Sequence, residues 1–143
     1  MEEGSLKFIA DENISPVLVS ILNRLGDKSV KSIHRPPFNI FMGKPDQHWI
    51  PKLSKQGFIC VTYDRQMLVD EALSSILSQT PARVIFLGRQ VANRNRWDQA
   101  IWFLRHWRGI RDTAATMAPG QLVRVLVNGQ VKPVTPRNPV PQG

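Results

Sequence analysis

"KFIADENISP", residues 7–16, runs an apolar stretch directly into two adjacent carboxylates and then into a helix start. Leu6 to Ala10 is short, apolar and β-compatible, and it stops at Asp11. Ser15 and Pro16 then supply an N-cap and a proline at the first helical position, where its missing N–H costs no hydrogen bond. Val17, Leu18, Ile21, Leu22 and Leu25 recur at helical spacing until Gly26 closes the helix. The order strand, acid, helix recurs further on. "FICVTYD" (58–64) is a continuous apolar run that also ends in an acid, Asp64, and a helical pattern with Met67, Leu68, Ala72, Leu73, Ile76 and Leu77 follows it.

The remaining segments fit between these. Ser29 to His34 reads as a second strand. "RPPFNIFMGKPD" (35–46) is a loop punctuated by proline and glycine. A helix starting near Asp46 carries Trp49, Ile50 and Leu53 and stops before Gly57. "RVIFLG" (83–88) is another apolar strand. Trp97, Ala100, Ile101, Leu104 and Trp107 mark a further helix, with arginines over much of its other surface. "LVRVLVNGQVKPV" (122–134) places an Asn-Gly pair between alternating residues, a β-hairpin signal. "TPRNPVPQG" is a proline-rich tail, expected to be disordered. There is no internal repeat. Strands alternating with helices over the first hundred residues predict a mostly parallel sheet with helices on both faces. In such sheets the functional crevice lies outside the carboxyl ends of the strands, where Asp11 and Asp64 both fall.

At 143 residues the chain is expected to form a single domain over 1–134, large enough to hold a core without staples. One cysteine, Cys60, excludes an intramolecular disulfide framework and a cysteine-rich zinc site. Its mid-strand position suits a small core residue. The single cysteine fits a reducing cytoplasm, no apolar run approaches a membrane span, and no signal peptide is evident. The charge is lopsided. Residues 1–70 hold 9 Lys/Arg against 8 Asp/Glu, and residues 71–143 hold 10 against 3, so almost all of the net +8 comes from the second half. Such an excess points to a polyanionic partner, either nucleic acid or an acidic protein segment.

Adjacent parallel strands bring their C-terminal residues to one edge, so Asp11 and Asp64 become neighbours despite their separation in sequence. Asp46, starting a helix after a long loop, can reach the same edge. Carboxylates crowded together repel one another, and a divalent cation relieves the repulsion. Oxygen ligands without a histidine or thiol cluster suit Mg2+ or Mn2+. Singly, each acid also has an ordinary structural reading: Asp11 or Asp46 as a helix cap, Asp64 as a turn residue.

"FIADEN", "PDQHWI" and "VTYDRQM" together resemble the PIN-like domain family, most closely the toxins of VapC-like toxin–antitoxin pairs. The likeness covers roughly residues 5–110. It implies a three-layer α/β/α sandwich with a short, mostly parallel sheet, to which the C-terminal β-hairpin is added. It also implies a metal-dependent ribonuclease whose acids are Asp11 at the end of the first strand, Asp46 at the central helix, and Asp64 after a Ser/Thr-x motif, here Thr62-Tyr63. A fourth acid would be Asp70, Glu71 or Asp98. The partners implied are an RNA substrate, a cognate antitoxin and a second copy of the chain, with Trp97 to Arg111 as one surface for it.

On this reading Asp11, Asp46 and Asp64 hold the metal. Glu12 binds a second cation or takes a proton from the attacking water. Asn13 fixes a metal-bound water or the scissile phosphate, Thr62 orients the region of Asp64, and Arg65 holds a phosphate. His34 and His48 lie nearby in sequence without an assigned role. Arg89, Arg94, Arg96, Arg105, Arg108 and Arg111 bind nucleic acid or an acidic antitoxin segment. Trp102 and Trp107 are candidates for stacking on bases, with core or interface the favoured reading for both. The expected function is a metal-dependent endoribonuclease, with a catalytically inactive RNA- or protein-binding module as the alternative. A receiver-like phosphoacceptor would need a threonine and a lysine at later strand ends, and "RVIFLGRQ" has neither.

Overall fold

The computed structural model describes residues 6–63, 75–77 and 79–134. The elements run β1 (Lys7–Ala10), α1 (Pro16–Arg24), β2 (Val30–Ser32), a 3-10 turn (Phe38–Phe41), α2 (Asp46–Lys55), β3 (Phe58–Thr62), β4 (Arg83–Leu87), α3 (Arg89–Ala92), α4 (Arg96–Ala114), β5 (Leu122–Val125) and β6 (Val131–Val134). Residues 75–77, between β3 and β4, are helical. The rest of the helix expected around Met67 to Leu73, and the tail from 135 onward, lie outside the described residues.

One six-stranded sheet has the order β2-β1-β3-β4-β5-β6. β1 to β5 are parallel, and β6 runs antiparallel to β5 at the edge. Chain order reverses at β1, which has β2 on one side and β3 on the other. That reversal makes a topological switch point, and the crevice it opens lies beyond the C-terminal ends of β1 and β3.

Both faces of the sheet are buried, which is why its strands read as continuous apolar runs. Side chains still alternate between the faces. Phe8, Ala10, Ile59, Val61, Ile85, Leu87, Val123 and Val125 share one face with α1 and α4. Ile9, Phe58, Cys60, Val84, Phe86 and Leu122 share the other with α2 and Leu77. The result is the expected α/β/α sandwich. α1 begins as the sequence predicts: the Ser15 hydroxyl accepts from the Val17 N–H at 3.2 Å and Pro16 takes the first helical position. Gly26, at φ +110°, closes its end in a conformation L side chains rarely adopt.

The expected C-terminal hairpin is present, and its first strand, β5, is also the fifth parallel strand, paired with β4 from Val84↔Leu122 to Leu87↔Val125. Asn128 and Gly129 do not form a two-residue type I′ turn, which needs positive φ at both central positions. Only Gly129 has it, at +90°, and the connection spans residues 126–130. Trp102 and Trp107 are core rather than stacking platforms, 3% and 4% exposed, with Phe8 edge-on to Trp107 at 5.1 Å.

Candidate active site

Asp11 follows the last residue of β1 and is 3% exposed. Its backbone N–H continues the ladder to the Val61 carbonyl at 3.1 Å, which holds it beside the end of β3. One carboxylate oxygen, Oδ1, accepts from the Asn13 N–H at 3.0 Å. The other, Oδ2, accepts from the buried Thr62 hydroxyl on the neighbouring strand. The carboxylate is thus fixed from two directions. Thr62, expected to orient the region of Asp64, donates to Asp11. Asp64, Arg65, Asp70 and Glu71 lie outside the described residues; β3 ends two positions before Asp64.

Tyr63 was not anticipated by motif reasoning, although it stands between two residues that were. Its hydroxyl is buried and has no hydrogen-bond partner among the described residues, and its ring meets Phe103 edge-on at 6.4 Å. Burial, and secondarily the negative charge of Asp11, push its phenol well above the usual tyrosine value.

Glu12 and Asn13 are exposed on the turn after Asp11. The Glu12 side chain reaches the long loop, where its Oε1 accepts from the Gly43 N–H at 3.3 Å. The Glu12 carbonyl oxygen lies 2.9 Å from His34 Nε2, at the end of β2. These contacts tie the β1–α1 corner both to the end of β2 and to the loop that leads into α2. Asp46 is the first residue of that helix, after Pro45 at the N-cap, and it is half-buried. An acid there is favoured by the positive end of the helix dipole. Trp49, Ile50 and Leu53 anchor the helix to the sheet.

Asp98 is exposed in the first turn of α4, its N–H capped by Asn95 Oδ1 at 2.8 Å. Among the described residues no three His, Cys, Asp or Glu side chains stand together as a metal-holding group. At the crevice the Asp11 carboxylate supplies oxygen, the His34 ring is engaged by the Glu12 carbonyl, and Cys60 is buried in the opposite core. That chemistry fits a hard cation and not zinc.

The arginines fall into two groups. Arg89, Arg94 and Arg96 are exposed where β4 passes into α3 and α4, at the same sheet edge as Asp11. Arg105, Arg108 and Arg111 sit along the C-terminal half of α4, with Arg111 about 22 Å from the helix start at 1.5 Å rise per residue. They line a groove of about 570 Å3 with Leu25, Leu104 and Trp107. Arg111 is already engaged, its Nε 3.4 Å from Asp27 Oδ2. The same oxygen accepts from the Trp107 indole at 2.7 Å. Burial works against the charge of Asp27, yet the hydrogen bonds from Ser29 and Trp107, with Arg111 nearby, hold its carboxyl below the usual range.

No helix among the described residues is long and apolar enough to cross a membrane. No curated protein and no solved structure matches the chain. A family model described as "PIN like domain" matches residues 6–89, which include the whole crevice from Asp11 to Tyr63.

Proposed function

The chain belongs to the PIN-like domain family, a nuclease-type module, and on that premise we propose that it is a metal-dependent endoribonuclease. The observation that carries this reading is the buried Asp11 carboxylate at the switch point, fixed by Thr62 from one strand and Asn13 from its own. Asp11, Asp46 and Asp64 would hold Mg2+ or Mn2+. When bound, the cation would lower the pKa of a water and offset charge on the phosphodiester.

The chain's own residues have separate tasks. Thr62 and the Asn13 N–H keep Asp11 in one orientation, so that no rotamer search precedes binding. Glu12 braces the loop before Asp46 and lies one residue from Asp11, where it can accept the proton of the attacking water. Arg65, Arg89, Arg94 and Arg96 supply positive charge for the flanking phosphates.

We further assign the chain to a cytoplasmic toxin–antitoxin pair. The groove between α1 and α4 supports this assignment, since its apolar floor and its arginine rim suit an acidic, amphipathic antitoxin segment. A second copy of the chain suits it less well, because that would place arginines against arginines.

The test is cleavage of labelled single-stranded RNA, with a DNA of the same sequence in parallel. The wild type cuts RNA with Mg2+ or Mn2+ and is stopped by EDTA, while Asp11→Asn and Asp64→Asn fold but do not cut. RNA binding with no cleavage under either metal would assign the chain to the binding modules instead.

A further inference from the structure

Arg124 has no role in the site described above, and its surroundings are unusual. It lies on β5, directly opposite Lys132 of β6. Like charges facing each other across an antiparallel pair are destabilising. Among the described residues its buried Nε makes no hydrogen bond. A charged N–H held out of water without an acceptor is costly. Arg124 lines a pocket of about 430 Å3 at the C-terminal edge of the sheet, together with Arg89, Gln90, Asn128 and the Gly88 backbone. Among the described residues no carboxylate lines this pocket. Two arginines and two side-chain amides make a donor-rich pocket suited to an anion.

The register relates the pocket to the crevice. Ala10 pairs with Val61, Thr62 with Phe86, and Phe86 with Arg124. Asp11 and Arg124 therefore stand at one level along the strands, three strand spacings apart, or about 14 Å. A single strand crosses that distance in a few nucleotides.

We propose that the Arg89–Arg124 pocket is a second phosphate subsite, which holds a phosphodiester of the single-stranded RNA a few nucleotides from the bond at Asp11. This rests on the nuclease reading, because it places the strand across the C-terminal edge of the sheet. Arg124 takes the phosphate in the partly buried position, Arg89 closes over it from α3, and Gln90 and Asn128 add uncharged donors. The phosphate also relieves the Arg124–Lys132 repulsion.

The test reads binding rather than cleavage, by fluorescence anisotropy of a labelled oligouridylate on Asp11→Asn protein. Adding Arg124→Gln weakens binding about tenfold, as loss of a charge-assisted contact does. It also flattens the slope of log affinity against log salt by about 0.7, the single-strand value for one phosphate. Arg89→Gln, an exposed substitution, acts in the same direction and carries the test if the Arg124 variant does not fold. Uridine monophosphate and inorganic phosphate compete far more weakly than the oligouridylate. Unchanged affinity and slope in the folded variants would overturn the proposal. So would competition by free phosphate as strong as that by the oligonucleotide, which would make the pocket a small-anion site. A chain that never cuts RNA but loses affinity at Arg124 would refute the nuclease reading and leave the subsite standing.

Discussion

Tyr63 is the only tyrosine in the chain, so tyrosinate absorbance reports this one phenol. Burial first, and the charge of Asp11 second, raise its folded pKa above the ordinary value of about 10. The unfolded chain ionises at that ordinary value while the folded chain stays protonated. Stability therefore falls as pH rises above about 10. We expect no tyrosinate near that pH while far-ultraviolet circular dichroism reports a folded protein. In Asp11→Asn the transition moves back toward the ordinary value, but only part of the way, because burial dominates. A normal titration in the folded wild type would contradict the burial of the Tyr63 phenol. Thr62→Val makes the complementary test. It deletes the hydroxyl that positions Asp11, and positioning groups of this kind are worth about 10–100-fold in metal affinity or activity. Thr62→Ser, which keeps the donor, restores most of that loss; equal activity in the valine variant would assign Thr62 a purely structural role.

At the scale of elements, α4 depends on a contact that sequence periodicity cannot show. Trp107 and Arg111 reach Asp27, which lies eighty positions away from Trp107 in the chain, just beyond α1. Asp27→Ala leaves the part-buried indole N–H without its acceptor and should cost about 1–3 kcal/mol in urea unfolding. Asp27→Asn, which keeps a carbonyl oxygen, should cost less. The folded pKa of Asp27 is depressed, so its contribution is complete above about pH 4 and is lost as pH falls through the folded value. Both variants should lack that acid-side slope, and an unchanged slope would show that another carboxyl produces it. The β5–β6 connection makes a second test. A Cβ on Gly129 would lie 2.5 Å from His106 Nδ1, in a backbone conformation at φ +90° that already disfavours it. Gly129→Ala should lower the urea midpoint, whereas Gly43→Ala, also at positive φ but with open space around its Cβ, should lower it less.

For the whole molecule, the family match ends at residue 89, but the core does not. Trp102, Phe103, Trp107, Val123 and Val125 share one cluster with Phe8 and Ile59. A chain ending at residue 89 should therefore show no cooperative unfolding transition, and a sharp one would contradict the packing described here. The layers were legible in the sequence because strands buried on both faces are apolar from end to end, as "FICVT" and "RVIFL" are, and because Ser15-Pro16 and Gly26 punctuate α1 locally. Pairing was less legible. Nothing near Leu122 signals that β5 joins β4 in parallel, although the Asn128-Gly129 pair did mark the hairpin that follows it. Asp11 and Asp46 were legible through their places at a strand end and a helix start. Tyr63 and Arg124 were missed, because what distinguishes them is an unpartnered buried polar atom, and only packing reveals that. Manganese binding followed by electron paramagnetic resonance bears on the crevice without any assumption about its substrate. The folded wild type should hold Mn2+ in competition with Mg2+, and Asp11→Asn, Asp46→Asn and Asp64→Asn should each weaken it while leaving circular dichroism unchanged. A wild type that retains no Mn2+, or binding indifferent to Asp11→Asn, would contradict the assignment of this edge of the sheet as a cation site.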